Sequence, residues 1–401
     1  MKLTSFDVGQ ATWNLLDFGG GRLAILDCGA ATAEDAKRIA SQLGTRLRRE
    51  PDTRIEFLLI SHLDSDHLSG IDALLDDRVI AGRVDAVICN NADLRLLAGA
   101  VKRVGMATAG SGAPRSDRLS RAATSMLRVL RFISEREIIS RDFHRDIVSP
   151  APNDPSVYPV LLASETTRIG TRILFLAPSQ KLKNESYLSL RAIGAADETT
   201  LDDLLGVFKR PAWNAASIVV LIQHGDKQIL VPGDATAHTW EEALYRIGDT
   251  DIFCDVIVAW HHGGKLGTLS GIDYDDLVWS RILRPGRPTV LMSHDGDRRR
   301  YGHPNDRTLE FINRGNADVF CTRLKFASDV HHVDTERAFP RAKFGHALDF
   351  SVGGPTIFRR SESLVCCGDI TVDVSRNAVA TSCSNPAAQH RRSNPSCCQY
   401  R

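Results

Sequence analysis

Two histidines and two aspartates lie within six residues of one another in the stretch IEFLLISHLDSDHLSG, residues 55–70. They are His62, Asp64, Asp66 and His67, and they follow a short apolar run typical of a buried strand. Imidazole and carboxylate groups are good ligands for divalent metals. His62 and Asp64 alternate and can face one side, while the adjacent pair Asp66 and His67 can turn to the other. This spacing suits two metal ions about 3.5–4 Å apart that share a water molecule. A polar turn without metal would explain one such residue, but not four.

Further polar residues follow other apolar strands of the chain. Asp234 ends the stretch ILVPGDA, the pair His261 and His262 ends DVIVAWHHGG, and His303 lies in the polar cluster after PTVLMS. Ligands of α/β sheets collect beyond the carboxyl ends of strands. A lone Gly-Asp is commonly a turn, and a lone histidine pair can be structural, but their order along the chain favours one shared site. Lys265, just beyond the histidine pair, is either a phosphate contact or a surface lysine.

Strands that alternate with helices predict the elements that must position these residues. MKLTSFDVGQ and RLAILDCG predict two strands joined through three glycines at 19–21. The spacing of five apolar residues predicts a helix: Ala36, Ile39, Ala40, Leu43 and Leu47. Residues 218–223 and 228–231 predict a hairpin around the turn 224–226. Alternating strands and helices indicate a layered α/β domain, which we place at residues 1–355.

The composition is that of an ordinary globular protein. The chain has 401 residues, 43% of them hydrophobic and 25% charged, and its formal net charge is +1. No global field therefore draws it to nucleic acid or to a membrane. No apolar run reaches the roughly 18 residues of a membrane span, and the N-terminus does not resemble a secretory signal. We therefore expect a cytoplasmic protein without a membrane partner.

An insertion at about residues 94–150 is basic. Residues 94–145 contain eleven Lys and Arg against four Asp and Glu. The segment SDRLSRAATSMLRVLRFISEREI predicts a helix. Its predicted apolar stripe consists of Leu119, Ala122, Ala123, Met126, Leu127 and Leu130. The arginines outside this stripe form either a solvated face or a face that contacts phosphates.

The nine cysteines fall into two groups. Cys28, Cys89, Cys254 and Cys321 lie singly in apolar runs, which predicts buried free thiols. The other five lie in a Cys-rich C-terminal extension, residues 356–401, that we expect to be partly disordered. Cysteines of this extension and His390 could bind a structural zinc, but the spacing fits no regular finger. We favour free thiols in a strand, within CCGDITVDV, followed by a tail.

The pattern His-x-Asp-x-Asp-His resembles the metal-binding signature of the metallo-β-lactamase superfamily, usually His-x-His-x-Asp-His. FDVGQATWNLLDFGGGRLAILDCGA is similar to the opening strands of that superfamily, with Asp27 at their turn, and ILVPGDA is similar to its Gly-Asp motif. WHHGG and YGHP resemble the late histidine motifs of one branch, the metallo-β-lactamase-like domain of the DNA-uptake protein ComEC and its soluble relatives. The resemblance covers residues 1 to about 325.

This resemblance implies a four-layer αββα sandwich with two divalent metal ions at one edge. His62, Asp64 and Asp234 would line one metal, and Asp66, His67, Asp234 and His303 would line the other. His262, or its neighbour His261, would lie at or beside the metals as a ligand or proton donor.

The sequence departs from the superfamily pattern in two places. Asp64 replaces the usual second histidine, and the extra carboxylate favours Mn²⁺ or weakly held Zn²⁺. The superfamily's middle histidine has no counterpart; Asn214 and Ser217 of NAASIVV occupy that region, and they are not strong ligands.

The leading hypothesis is a metal-dependent phosphodiesterase, specifically a nuclease. Metal-bound water would supply hydroxide, Asp66 would act at the catalytic centre, and His262 or His303 would stabilise or protonate the leaving group. Lys265, Asn214 and His261 are the candidate substrate contacts. One alternative is a hydrolase of a small phosphoester or another small ester. Another is a regulatory or interaction protein with a vestigial site. The resemblance also implies an antiviral defence effector controlled by a protein partner.

Overall fold

The computed structural model describes the parts of the chain that form the two sheets and most of the candidate site. The described residues are 1–62, 64–89, 124–125, 128–129, 132, 139–142, 171–178, 182, 214–248, 251–286, 288–293, 305–315, 317–322, 369–375 and 378–384.

The first sheet has eight strands among the described residues, in the order β16-β15-β1-β2-β3-β4-β5-β6. They are β1 (Lys2–Ser5), β2 (Trp13–Gly19), β3 (Arg22–Cys28), β4 (Arg54–Ile60), β5 (Ala86–Cys89), β6 (Ile139–Asp142), β15 (Ile370–Val374) and β16 (Val379–Cys383). The strands from β16 to β3 run antiparallel to their neighbours, and β3 to β6 are parallel. Four strands of this sheet therefore end at the same edge.

The second sheet has six strands in the described part of the chain, in the order β14-β13-β10-β9-β8-β7. They are β7 (Thr171–Ala177), β8 (Val219–His224), β9 (Lys227–Val231), β10 (Val256–Val258), β13 (Thr289–Met292) and β14 (Asp318–Cys321). The last four in chain order are parallel, and β7, β8 and β9 are antiparallel. A small separate hairpin consists of β11 (Thr268–Leu269) and β12 (Ile272–Asp273).

Seven helices of the described residues surround the sheets. They are α1 (Ala33–Arg49), α2 (Ser65–Leu68), α3 (Ile71–Asp76), α4 (Arg78–Ala81), α5 (Ala237–Ile247), α6 (Tyr274–Ile282) and α7 (Asp306–Arg314), with a 3-10 turn at Trp260–Gly263. None of these helices is long and apolar enough to span a membrane.

The alternation of side chains in β3 shows how the layers stack. Leu23 and Ile25 face outward into one apolar cluster with α1, whereas Ala24 and Leu26 face inward into a second cluster with strands of the other sheet. Successive side chains of a strand point to opposite faces, so one strand serves both layers. Helices α5, α6 and α7 pack in the second cluster. The expected αββα sandwich is confirmed.

Helix α1 shows why the sequence forms these outer layers. Thr32 caps its N-terminus by accepting a hydrogen bond from the backbone N–H of Asp35. Acidic residues lie in its first turn and basic residues in its last turn, which complements the helix dipole. All five predicted apolar positions are buried, and each large aliphatic side chain contributes about 1.5–3 kcal/mol through burial.

Several sequence predictions need correction. The N-terminal region forms three strands rather than two, because β1 ends at Ser5 and a new strand begins at Trp13. The predicted hairpin is present as β8 and β9, but His224 belongs to the strand and not to the turn. In the basic insertion, Val129 and Phe132 are buried although the predicted stripe omits them. The predicted stripe residues lie outside the described ones.

The C-terminal extension contributes strands to the first sheet. Strand β15 lies within the predicted strand CCGDITVDV and pairs antiparallel with β1. Arg38 of α1 donates to both carboxylate oxygens of Asp369, at 2.9 and 3.2 Å, and to the carbonyl of Asp7 at 2.7 Å. Strands β15 and β16 are therefore a structural part of the sheet.

Candidate metal centre

The candidate site lies where strands of both sheets end. Polar residues follow the carboxyl ends of β4, β9, β10 and β13, and Asp27 lies one residue before the end of β3. The motif after β4, Asp234 and the histidine pair at 261–262 share this edge, whereas the predicted cluster around His303 lies outside the described residues.

Four side chains form a compact group, which we call the ligand group: Asp66, His67, Asp234 and His262. Each offers one ligand atom, and these four atoms all lie within 4.8 Å of one another. His67, Asp234 and His262 are buried, and Asp66 is partly buried. Two imidazoles and two carboxylates at this separation are a donor set suited to one divalent metal.

Asp27 orients His67. Its Oδ2 accepts a hydrogen bond from Nδ1 of His67 at 2.7 Å, and the carboxylate also binds the backbone N and Oγ of Ser61 at 2.7 Å each. The Nε2 atom of His67 therefore points to Asp234, whose Oδ1 lies 3.0 Å away. A carboxylate partner that fixes the ring in this way is typical of metal-binding histidines.

A backbone carbonyl orients His262 in the same manner. Nδ1 of His262 donates to the carbonyl of Ser293 at 2.7 Å, and its Nε2 lies 3.5 Å from Oδ2 of Asp66. The hydroxyl of Ser293 in turn donates to the carbonyl of Ala11 at 2.5 Å. The inward ring nitrogen is thus directed at the ligand group.

Backbone strain is concentrated at this site. Asp27, His261 and His262 have φ values of 60°, 46° and 54°, and Ser270 is the one other non-glycine residue of the described chain with positive φ. A left-handed conformation costs about 1–3 kcal/mol for such residues. The fold therefore holds three site residues in conformations that the chain would not adopt by itself.

Two glycines allow the close approach of the strand ends. A Cβ atom on Gly29 would lie 1.6 Å from the carbonyl oxygen of Asp66, and one on Gly233 would lie 2.9 Å from Oγ of Ser61. Gly233 also has a φ of 57°. Larger residues at these positions would displace the loops that carry Asp66 and Asp234.

The two oxygens of Asp234 have different neighbours. Oδ1 faces His67, as described, whereas Oδ2 lies 3.4 Å from Nδ2 of Asn214 and 3.8 Å from Nε2 of His261. The side chain of His261 is 37% exposed and that of His262 is 1% exposed. His261 is therefore the outer imidazole of the pair, and His262 is the inner one.

The carboxylates of the ligand group are ionised at neutral pH. Burial by itself would raise the pKa of Asp66, but the hydrogen bond with His262 and the charge of His67 lower it to about 2. Burial would likewise raise the pKa of Asp234, but the neighbouring imidazoles of His261 and His67 hold it well below its ordinary value. Both groups can bind a cation without first losing a proton.

The histidines differ in charge. Burial, followed by repulsion from His67, lowers the pKa of His62 to about 4, so its imidazole is neutral. Burial alone would lower the pKa of His67, but the carboxylates of Asp234 and Asp27 raise it well above its ordinary value. Without a cation, a proton on His67 therefore balances the two carboxylates.

His62 and Asp64 lie beside the ligand group but, in the part of the chain that the structure describes, do not join it. Nδ1 of His62 lies 3.1 Å from Oγ of Ser61. Asp64 caps α2 by accepting from the backbone N–H of Ser65 at 2.8 Å. Burial and the charge of Asp66 raise the pKa of Asp64 to about 6. A second cation here would relieve the repulsion between these carboxylates.

The site accommodates a divalent metal. Nε2 of His62 and Oδ1 of Asp66 are buried and have no hydrogen-bond partner among the described residues. Buried polar atoms normally find a partner, and a cation would supply one for each of these lone pairs. The residues present therefore fit the metal that the resemblance implies.

Other predicted site residues have different outcomes. Lys265 is exposed beyond the histidine pair, and the partly buried Asn214 contacts Asp234. His303 lies outside the described residues, and His262 joins the ligand group in which His303 was predicted. The sequence analysis noted Asp27 only as part of a motif and did not predict that it holds His67. The position of Asp27 near the end of β3, beside the strand that precedes the histidine motif, could have indicated this role.

The three cysteines whose side chains the structure describes are separate from the ligand group. Cys28 and Cys254 are buried free thiols, as predicted, and Cys89 is buried as well. The side chains of Cys321 and of the C-terminal residues that could bind zinc lie outside the described part of the chain.

The family comparison agrees with this fold over part of the chain. Residues 6–139 match the family model described as Metallo-beta-lactamase superfamily. A comparison with curated proteins found no match. Among solved structures the chain is similar to Zn²⁺-bound PqqB from Methylobacterium extorquens, with 10% sequence identity and a TM-score of 0.37, over 80% of this chain and 97% of that chain. The sandwich with its site at the strand ends is a metallo-β-lactamase-type fold.

Proposed function

We propose that this protein is a metal-dependent hydrolase of phosphodiesters and that its natural substrate is a nucleic acid. The observation that carries the proposal is the ligand group, two carboxylates and two imidazoles whose ligand atoms lie within 4.8 Å of one another. Such a donor set suits a catalytic divalent metal.

The ligand group would hold one ion, Mn²⁺ or Zn²⁺, and His62, Asp64 and Oδ2 of Asp234 would hold a second. A bound divalent metal lowers the pKa of water enough to supply hydroxide near neutral pH and neutralises charge on a phosphodiester. The extra carboxylate of Asp64 favours the harder ion, Mn²⁺.

The protein's own residues would divide the remaining work. Asp27 and Ser293 keep the inner nitrogens of His67 and His262 directed at the centre. The half-exposed His261 lies where a substrate would first meet an imidazole, so we assign it the contact with phosphate or leaving group. The buried position of His262 favours a ligand role. A role for His303 in protonating the leaving group stays a prediction.

The choice of a phosphodiester rests on charge. The insertion at about 94–150 is rich in arginine, and clusters of Arg and Lys bind phosphates. Arg128 of this insertion forms ion pairs with Asp72 and Asp76, so this arginine stabilises the insertion against α3. Among the described residues, we assign phosphate binding to the side chain of Lys265, which is exposed beyond the histidine pair.

A metal-resolved cleavage assay tests the proposal. Metal-stripped protein, reloaded with Mn²⁺, Zn²⁺ or Mg²⁺, is incubated with single- and double-stranded DNA, RNA and bis-p-nitrophenyl phosphate. The Asp66→Ala and Asp234→Ala variants remove ligands, and Asp373→Ala, on the exposed part of β15, is the matched control. We expect cleavage of a polymer that vanishes in the two ligand variants and persists in the control.

The other outcomes separate the alternatives. Cleavage of the small ester alone would replace the nuclease by a hydrolase of small substrates. Bound metal without cleavage of any substrate would favour control by a protein partner, as in a defence effector. A protein that binds no metal would contradict the catalytic proposal and favour an interaction protein.

A further inference from the structure

Asn214 contacts the one oxygen of Asp234 that does not face His67. Its Nδ2 lies 3.4 Å from Oδ2 of Asp234, while Oδ1 of the same carboxylate lies 3.0 Å from Nε2 of His67. An amide oriented in this way presents an N–H donor to Oδ2. Oδ2 of Asp234 therefore faces the amide of Asn214, whereas Oδ1 faces His67 of the ligand group.

The turn that carries Asn214 is fixed at several points. The carbonyl of Asn214 accepts from the backbone N–H of Ser217 at 3.0 Å, and the hydroxyl of Ser217 accepts from the backbone N–H of Asp234 at 3.2 Å. Ser61, next to His62, accepts through its carbonyl from the N–H of Ile218 at 3.0 Å. These hydrogen bonds hold the turn that carries Asn214 between the end of β4 and the end of β9.

A donor on Oδ2 affects the two metal positions differently. Oδ1, which faces His67, would be the oxygen open to an ion in the ligand group, and Asn214 contacts Oδ2 instead. A second ion beside His62 would need Oδ2, and there the N–H group competes for the oxygen's lone pairs and opposes the approach of a positive charge. Nε2 of His62 is buried without a hydrogen-bond partner in the described part of the chain, so a ligand atom for a second ion is nevertheless in place.

We propose that Asn214 is a positioning residue that makes the two metal positions unequal. It keeps Oδ1 of Asp234 in the ligand group, which binds the first ion tightly, and it weakens the position beside His62. This inference rests on the metal site of the proposed function, but not on the identity of the substrate.

The substitution Asn214→Asp replaces the amide donor with a carboxylate acceptor of the same shape. Metal-stripped wild type and Asn214→Asp are titrated with Mn²⁺ by calorimetry, and the electron paramagnetic resonance spectrum reports whether two ions are adjacent. We expect one tight ion in the wild type, with a second that binds at least about 10-fold more weakly. In Asn214→Asp we expect affinity for the second ion to rise by about 10-fold, the scale on which neighbouring groups tune metal affinity.

Two further variants keep the test informative. Asn214→Ala removes the donor without adding a charge and should strengthen the second ion by a smaller factor, so the idea remains testable if the aspartate variant fails to fold. Gln223→Glu adds the same charge near the opposite end of β8 and should leave both affinities unchanged. A merely structural role for Asn214 would weaken binding in its variants and would not create a second tight ion.

Different results would contradict the role of Asn214 and the proposed function. Two equally tight ions in the wild type, or no gain in either Asn214 variant, would overturn the role of Asn214 and leave the proposed hydrolase intact. A wild type that binds no ion would overturn both.

Discussion

The substitution Asp27→Asn tests how the fold prepares His67 for a metal. The carboxylate of Asp27 accepts three hydrogen bonds of 2.7 Å, two from Ser61 and one from Nδ1 of His67. Asparagine keeps the shape but has only one acceptor oxygen, because its other terminal atom is a donor. Either orientation of the amide therefore sets a donor against a donor, at the backbone N–H of Ser61 or at the ring of His67.

The expected magnitude follows from this geometry. If the amide nitrogen faces the ring, His67 must carry its proton on Nε2, and that atom then has no lone pair for a metal. Changes of this kind lower metal affinity by about 10–100-fold, or roughly 1.4–2.8 kcal/mol. The metal-free protein also loses a buried charge-assisted hydrogen bond, which costs about 1.5–3 kcal/mol of unfolding free energy.

The assay is a competition between the protein and a chromophoric chelator for Zn²⁺ or Mn²⁺ at neutral pH, combined with urea unfolding of the metal-free protein. Asp17→Asn is the matched control, since Asp17 binds the backbone N–H of Gly19 and the guanidinium of Arg46 away from the site. Wild-type metal affinity in Asp27→Asn would refute the claim that this carboxylate prepares His67.

Three other perturbations follow from the same contacts. Gly29→Ala would place a methyl group 1.6 Å from the carbonyl of Asp66, so we expect a stability loss of about 1–3 kcal/mol and weaker metal binding in a titration. The control is Gly82→Ala, where the nearest atom to the new methyl group would be 3.1 Å away. Equal stability and metal binding in the two variants would contradict the packing argument. Burial, and then the charge of Asp255, raise the pKa of the Cys254 thiol, so the thiol stays protonated in mildly alkaline solution. It should therefore resist iodoacetamide until the protein is unfolded. Rapid modification of Cys254 in the folded protein, measured by mass spectrometry, would contradict this expectation. Asp369→Ala removes the partly exposed ion pair between the C-terminal extension and α1. In a urea unfolding experiment it should lower the unfolding free energy by about 1 kcal/mol. Unchanged stability would mean that the strand pairing alone holds the extension.

Local patterns predicted the layers and the motif that supplies half of the ligand group. The apolar spacing of α1 and the continuous apolar run of β4 are signals read within one element, and both elements are present. The motif after β4 contains Asp66 and His67, and the polar residues predicted at strand ends include Asp234 and the pair His261 and His262. The resemblance to the ComEC-like branch stays a prediction.

The parts that the sequence did not predict depend on contacts between distant segments. Asp27 and His67 are 40 residues apart and meet only when β3 and β4 pair. The choice between His261 and His262 as the inner imidazole depends on two left-handed residues, which no propensity predicts for histidine. The pairing of β15 with β1 joins residues 370–374 to residues 2–5, and short-range patterns contain no information on such a contact.

The most direct test of the account measures metal binding and hydrolysis on the same samples. Metal-stripped wild type, Asp66→Ala, Asp234→Ala and the control Asp373→Ala are titrated with Mn²⁺, and cleavage of single-stranded DNA, RNA and bis-p-nitrophenyl phosphate is recorded at each point. The account predicts that phosphodiester cleavage rises with occupancy of the first ion in the wild type and the control, and that both ligand variants lose binding and cleavage together. Cleavage that persists in the ligand variants, or a wild type that binds no divalent metal, would contradict it.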